Sequence, residues 1–212
     1  MKRHREAGPR LIVYAKRPLA NYAKTRLGSV IGEQQAAGVY ARLLYTHLLE
    51  LLSANLSDIS IELSVTSVAD VAFFADAFPE LTVRPQIEGD LGRRMAASFE
   101  RAFAEGAESV VLTGSDIPGL DSRIVLTAFD ALETTPVVIG PAEDGGYYLI
   151  GMRAPGASLF DGIEWSSERV LTQTEALAQA QGLKITYLPE LSDVDTVEDF
   201  CRWREMIGTE AA

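Results

Sequence analysis

Short apolar runs alternate with stretches of helical periodicity along nearly the whole chain, and this alternation leaves few folds open. Residues 11–15, 59–66, 81–86, 110–112, 136–140, 148–152 and 184–188 read as strands. Between and after them, residues 33–54, 68–78, about 91–105, 121–132, a stretch opening at Trp165 and the C-terminal stretch from Asp195 read as helices. The pattern predicts an open, mainly parallel α/β sheet with helices on both faces. A chain of 212 residues suits one domain, and no linker divides it. We expect a single domain over 1–212, with a core of about 10–207 and a disordered tail at 1–9 that includes His4.

Loops at the carboxyl ends of such strands are where open α/β sheets bind ligands. The run Val110-Val111-Leu112 is followed by Gly114-Ser115-Asp116-Ile117-Pro118, which sets a carboxylate at a strand end. Asp before X-Pro serves equally well as a turn residue, so both readings stand. After the first strand, Lys16, Arg17, Lys24 and Arg26 crowd one segment together with the Thr25 hydroxyl, in a protein whose formal net charge is −11. Pro18, Asn21 and Gly28 mark that segment as a loop. Arg offers a planar fork of donors and Lys a mobile point charge, so the segment suits a phosphate chain better than a merely solvated basic surface. It is neither a P-loop nor a dinucleotide fingerprint.

The acidic balance makes nucleic acid and anionic membranes poor partners. The single Cys201 excludes an internal disulfide and a multi-cysteine metal site. No apolar run is long enough to span a bilayer and residues 1–10 lack a signal-peptide core, so a cytoplasmic protein is expected. His47 falls within the apolar stripe Ala36, Tyr40, Leu43, Leu44, Leu48, Leu51 and reads as a core histidine. With only His4 besides, Ser-His-Asp, Cys-His and His-rich metal chemistry lack their parts.

Three further loops carry candidates. In the loop 86–95, Gly89 and Gly92 permit close backbone approach, Asp90 is a good helix cap, and Arg93 and Arg94 face either phosphates or solvent. In 140–148, Gly145 and Gly146 stand beside Asp144, Tyr147 and Tyr148, as in a loop that admits substrate; a plain Asp-Gly hairpin turn accounts for Asp144-Gly145 equally. In 191–200, Asp195 or Thr196 reads as an N-cap completed by Glu198, while Asp193 and Asp195 could also help Asp116 hold a hard cation. Ser166 or Ser167 opens the next helix as a cap.

Four motifs then resemble one family: Ala15-Lys16-x-Pro18…Ala23-Lys24-Thr25-Arg26-Leu27, Gly114-Ser115-Asp116-Ile117-Pro118, Gly140-Pro141-Ala142-x-Asp144-Gly145-Gly146-Tyr147-Tyr148-Leu149-Ile150-Gly151 and Asp193-Val194-Asp195-Thr196-x-Glu198-Asp199. They look like the bacterial glycosyltransferase-A-like family often labelled transferase 1, radical SAM and selenodomain associated, over about residues 11–204. The resemblance implies the Rossmann-like nucleotide-diphospho-sugar transferase fold, shared by glycosyltransferases and nucleotidyltransferases. The opening loop is also similar to that of phospholactate guanylyltransferase, and Val194-Asp195-Thr196 to the Val-Asp-Thr of CMP-sugar-acid synthetases. By that resemblance Asp116 and Asp195, with Asp193 as a further candidate, hold Mg²⁺ or Mn²⁺. Lys16, Arg17, Lys24, Thr25 and Arg26 hold phosphates, and Gln86, Asp90 and Gly92 read the nucleobase. Lys16, Lys24, Asp116 and Asp144 are the expected catalytic groups; Gly145, Gly146, Tyr147, Trp165 and Ser166 are the expected acceptor contacts. The first loop departs from the Gly-Gly-x-Ser-x-Arg-Met of many nucleotidyltransferases, and Asn21 stands where this family often has glycine, an exchange Asn tolerates in a left-handed turn. Asp116 also lacks the Asp-x-Asp setting of many glycosyltransferases.

The expected activity is therefore metal-dependent transfer on a nucleotide: first, nucleotidyl transfer from a nucleoside triphosphate to a small phosphorylated or acidic acceptor, releasing pyrophosphate. Glycosyl transfer from a nucleotide sugar, with Asp144 or Glu143 as base, is the second reading, and nucleotide binding without catalysis the third.

Overall fold

The computed structural model describes residues 8–210; His4 and the rest of residues 1–7, the greater part of the tail expected at 1–9, lie outside them. One seven-stranded sheet runs through the described residues in the order β3-β2-β1-β4-β6-β5-β7. Its strands are β1 (Gly8–Ala15), β2 (Ser60–Val65), β3 (Thr82–Pro85), β4 (Ala107–Thr113), β5 (Val137–Pro141), β6 (Tyr147–Met152) and β7 (Ile185–Tyr187). The helices are α1 (Thr25–Ile31), α2 (Glu33–Ser53), α3 (Val68–Ala77), α4 (Leu91–Ala104), α5 (Ser122–Leu132), α6 (Val170–Ala180) and α7 (Val197–Glu210), with a 3-10 turn at Ala157–Phe160. All pairings are parallel except those of β6, which runs antiparallel to both β4 and β5. The sheet is mainly parallel, as expected. Among the described residues no helix is long and apolar enough to cross a membrane.

Alternate strand residues feed two cores, one on each face. Leu11, Val13, Val111 and Val138 pack with Tyr40, Leu44 and Leu48 of α2, Phe74 of α3 and Val125 and Phe129 of α5. Ile12, Val110, Leu112, Val137 and Ile139 pack on the other face with Met95 and Phe99 of α4, Phe160 and Ala178. This two-sided burial is why the central strands read as unbroken apolar runs. Phe99, fully buried and stacked on Phe160 at 5.8 Å, anchors the second core; truncating such a ring typically costs about 3–5 kcal/mol.

Four local expectations need correction. Strand β1 begins at Gly8, so Gly8 and Pro9 belong to the sheet and not to a tail. The basic segment is not wholly loop: Lys24, at φ 54 and ψ 47, opens the seven-residue helix α1. Residues 165–169 form turns, with Ser166 at φ 65, and α6 starts only at Val170. Helix α7 is capped by Thr196 and Asp199 and not through Glu198: the Asp199 amide donates to Thr196 Oγ1 at 3.2 Å, and Asp199 Oδ2 accepts the Thr196 amide at 2.8 Å. That reciprocal pair is a capping box with Asp in the place of Glu.

Candidate active site

The chain leaves β1 for β2 and β3 on one side, then returns to lay β4 on the other. Strands β1 and β4 therefore flank the topological switch point, and the residues after them, Lys16 and Gly114-Ser115-Asp116, stand at the crevice where such sheets bind ligands. The antiparallel β6 brings its amino end, Tyr147, to the same edge, opposite Pro141 of β5. The loop before α7 is drawn in by the Val194 amide, which donates to the Asp116 carbonyl at 3.3 Å.

Lys24 sits at the centre of this edge. Its side chain is 4% exposed, and Nζ lies 2.6 Å from Asp116 Oδ2 and 3.6 Å from both Asp193 Oδ2 and Asp195 Oδ1. Arg26 reaches the far oxygen of Asp195 at 2.9 Å and is otherwise 75% exposed. Left-handed backbone at a non-glycine residue such as Lys24 costs roughly 1–2 kcal/mol, a strain that collects at functional sites. Burial would lower the Lys24 ammonium, but Asp116, Asp193 and Asp195 outweigh it and hold the charge on. Burial likewise opposes ionisation of Asp116, and Lys24 overrides it, keeping that carboxyl below its ordinary range. Asp193 goes the other way: burial is the largest cause, Lys24 opposes it, and Asp116, Asp195 and Asp144 help push the carboxyl up to about 6. Three carboxylates thus share one ammonium and one guanidinium, and the cluster is short of positive charge. Among the described residues no three His, Cys, Asp or Glu side chains form a ready-made metal cage; the ammonium occupies the middle of the three aspartates.

The remaining expected residues fall into separate places. Lys16 has an exposed side chain and donates its backbone amide to Tyr40 Oη at 2.9 Å. Arg17 lies over the Phe73 ring at 4.3 Å, and Thr25 is exposed at the start of α1. Asp144 Oδ1 accepts the Gly146 amide at 2.9 Å, and the Gly145 amide donates to the Ala142 carbonyl at 3.0 Å, so the second glycine loop is a hairpin turn. Gly145 is required by the protein's own backbone: at φ +84, a Cβ there would stand 2.3 Å from the Glu168 carbonyl oxygen. The Gln86 side chain is turned inward, donating to the Ser64 carbonyl and accepting from Arg94, each at 3.0 Å. Asp90 caps α4 through the Arg93 amide at 2.8 Å. Gly92 is buried beneath the Trp165 indole. The exposed Ser166 follows it at positive φ.

Lys24, Arg26, Asp116, Asp193 and Asp195 are the expected residues whose charged side chains meet directly. Asn21, at φ 61, adopts the left-handed turn its side chain tolerates. Two contributors were not singled out from sequence. Tyr40, expected only as part of a core stripe, bonds both Lys16 and Ser115, and Ser115 is itself buried. The tyrosine's place amid leucines at helical spacing hid its hydroxyl, which a search for polar tips on the buried face of α2 would have flagged.

Residues 50–167 match the family DUF2064, described as an uncharacterized protein conserved in bacteria. No curated protein matches the chain. Among solved structures, a Desulfovibrio desulfuricans protein named as a candidate nucleotide-diphospho-sugar transferase is 34% identical, with a TM-score of 0.85 over 92% of this chain and 85% of that one. A CMP:2-keto-3-deoxy-manno-octonic acid synthetase solved with CTP is 12% identical, with a TM-score of 0.56 over 96% of this chain and all (100%) of that one. Rv0371c from Mycobacterium tuberculosis, solved with manganese, is 16% identical, with a TM-score of 0.53 over 92% and 97% of the two chains. The two distant likenesses establish the Rossmann-like glycosyltransferase-A-type fold, and the family match together with the 34% identical relative establishes kinship: this chain belongs to the DUF2064 family of bacterial proteins.

Proposed function

We propose that the protein transfers a nucleotidyl group from a nucleoside triphosphate to a small phosphorylated or acidic acceptor, releasing pyrophosphate. The observation that carries this reading is the meeting of Lys24 with Asp116, Asp193 and Asp195 at the switch point, beside Arg26 and the exposed Lys16. A triphosphate needs cations, and a divalent metal needs one or two hard oxygen ligands besides phosphate. The donor set fits such an ion: all three acids are carboxylates, each is about a third exposed, and the cluster holds more negative than positive charge. Asp116 and Asp195 would hold Mg²⁺ or Mn²⁺, with Asp193 alongside. When bound, the metal would neutralise phosphate charge and align the attacking and leaving oxygens. Manganese in Rv0371c and CTP in the octonic acid synthetase support the same assignment on this shared fold.

In this reading Lys24, Lys16 and Arg26 bind the β- and γ-phosphates and stabilise charge as it develops on the leaving pyrophosphate. An acceptor oxygen forms the new bond to the α-phosphorus while the bond from that phosphorus to the bridging oxygen breaks, and the electron pair leaves with pyrophosphate. The hairpin 142–146 would stand on the acceptor side of the edge, while the Tyr147 ring packs into the second core. The name given to the 34% identical relative favours a second reading, glycosyl transfer from a nucleotide sugar.

A thermal-shift screen tests both. The four nucleoside triphosphates and common sugar nucleotides are compared with and without Mg²⁺ or Mn²⁺. Ligand at about 100 times its dissociation constant adds about 2.7 kcal/mol of stability. A metal-dependent shift with one triphosphate, followed by pyrophosphate release with an acceptor, is the expected result. A shift with sugar nucleotides alone moves the assignment to glycosyl transfer, and binding without any turnover makes the protein a nucleotide-binding module.

A further inference from the structure

We propose that Tyr40, His47 and Glu50 are positioning residues that hold the Asp116 loop from behind, a reading that rests on Asp116 serving the metal-nucleotide chemistry above. The three lie at spacings of seven and three on α2, which places them on one face of the helix. That face is otherwise apolar, carrying Leu43, Leu44, Leu48 and Leu51; Tyr40 and His47 are buried on it and Glu50 is half-buried at its margin. Polar tips on such a face are costly unless hydrogen-bonded, and apolar residues at all three positions would have continued the stripe.

Each tip is instead bonded to the strand-end backbone or to the residues flanking Asp116. Tyr40 Oη accepts the Lys16 amide at 2.9 Å, which leaves its own hydrogen for Ser115 Oγ at 3.0 Å. One phenol therefore ties the end of β1 to the end of β4 across the switch point. His47 Nδ1 lies 3.2 Å from the Leu120 carbonyl, which can only accept, so Nδ1 carries the proton. Glu50 Oε1 accepts the Ser122 amide at 3.1 Å. The segment 115–122 is thus gripped on both sides of Asp116. Because the Asp116 carbonyl also receives the Val194 amide, the grip sets where Asp193 and Asp195 stand as well. His47 Nε2 and Glu50 Oε2 are left buried and unpartnered. Residues retained only to fill the core would not carry such orphan atoms into it.

The test uses the whole protein in four forms: unaltered, Tyr40→Phe, His47→Leu and His47→Asn. Phe keeps the ring without the hydroxyl, Leu removes the imidazole donor, and Asn restores a donor close to Nδ1. Three quantities are read: Mn²⁺ affinity by electron paramagnetic resonance with a non-hydrolysable triphosphate present, and kcat and KM for the triphosphate. We expect Tyr40→Phe and His47→Leu to weaken Mn²⁺ binding at least fivefold and to lower kcat at least tenfold, with KM within twofold. His47→Asn should stay within about twofold of the unaltered protein on every measure. Unchanged Mn²⁺ affinity and kcat in Tyr40→Phe and His47→Leu, whatever their melting temperatures, would overturn the proposal, and so would His47→Asn failing as badly as His47→Leu. Should His47→Leu not fold, Tyr40→Phe decides alone. An unaltered protein that binds neither Mn²⁺ nor triphosphate sinks the site reading and this proposal together, whereas normal variants of a responsive protein sink only this one.

Discussion

The indole of Trp165 fills the space that a side chain at position 92 would need: its ring atoms lie 2.6, 2.7 and 2.8 Å from where a Cβ on Gly92 would stand. The turn 161–169 is thereby packed onto the first turn of α4. Gly92→Ala should destabilise the fold by about 1–3 kcal/mol, the usual cost of overpacking. In a Trp165→Ala background the same change should cost much less, because the obstructing ring is gone. A double-mutant cycle by urea denaturation measures the difference, and equal costs in both backgrounds would show that the ring is not the obstacle.

Lys24→Met leaves three carboxylates facing one another without their ammonium. Breaking a fully buried pair costs about 3–5 kcal/mol; with the acids about a third exposed we expect about 1–3 kcal/mol. Millimolar Mg²⁺ or Mn²⁺ should restore part of that loss by entering the same space. A melting curve of Lys24→Met that ignores divalent ions would count against metal binding by these aspartates.

Asp116→Asn keeps the size of the side chain and removes the charge. We expect turnover to fall by at least about 100-fold, in the range seen when one electrostatic element of an active site is lost. The melting temperature should change little, since Asp193 and Asp195 still face Lys24. A large fall in stability with turnover intact would make Asp116 a turn residue only.

Asp199 predicts a pH dependence. Burial would raise its carboxyl, but hydrogen bonds from Thr196 and Arg202 win and hold it at about 2, against 3.8 ordinarily. A depressed carboxyl contributes stability above its unfolded value and loses that contribution as pH falls through the folded one. Asp199→Ala should therefore cost about 1 kcal/mol near neutrality, the typical worth of a cap, with the gap to the unaltered protein closing between about pH 4 and pH 2. Urea titrations at pH 6 and pH 2.5 test this, and a gap that is constant with pH would contradict it.

Much of this architecture is legible because burial on both faces writes itself into strands such as 11–15 and 110–112, and because α2 is long enough to show its stripe. The short helix α1 is not legible for a tertiary reason. It spans seven residues, contains Gly28, and begins from a left-handed lysine. Gly28 lies under the Glu33 carboxylate, which also accepts the Asn21 amide and comes within 2.6 Å of where a Cβ would stand. Composition could nominate Lys24, Arg26, Asp116, Asp193 and Asp195, but not their pairing, since the contacts span up to 171 positions in sequence. Gln86 and Asp90 matched a binding pattern while their side chains turn to the Ser64 carbonyl, Arg94 and the Arg93 amide, partners that the sequence pattern does not reveal.

The carbonyl of Asp116 holds the Val194 amide, and the Leu191 amide donates to the Pro141 carbonyl at 3.1 Å, so the last approach to the cluster is laid down by the final segment of the chain. Strands β1 to β6 and their loops carry Lys24 and Asp116, whereas Asp193 and Asp195 come only after β7. Closure of the carboxylate cluster is thus tied to docking of the segment after β7: six of the seven strands make up most of the sheet without completing the site.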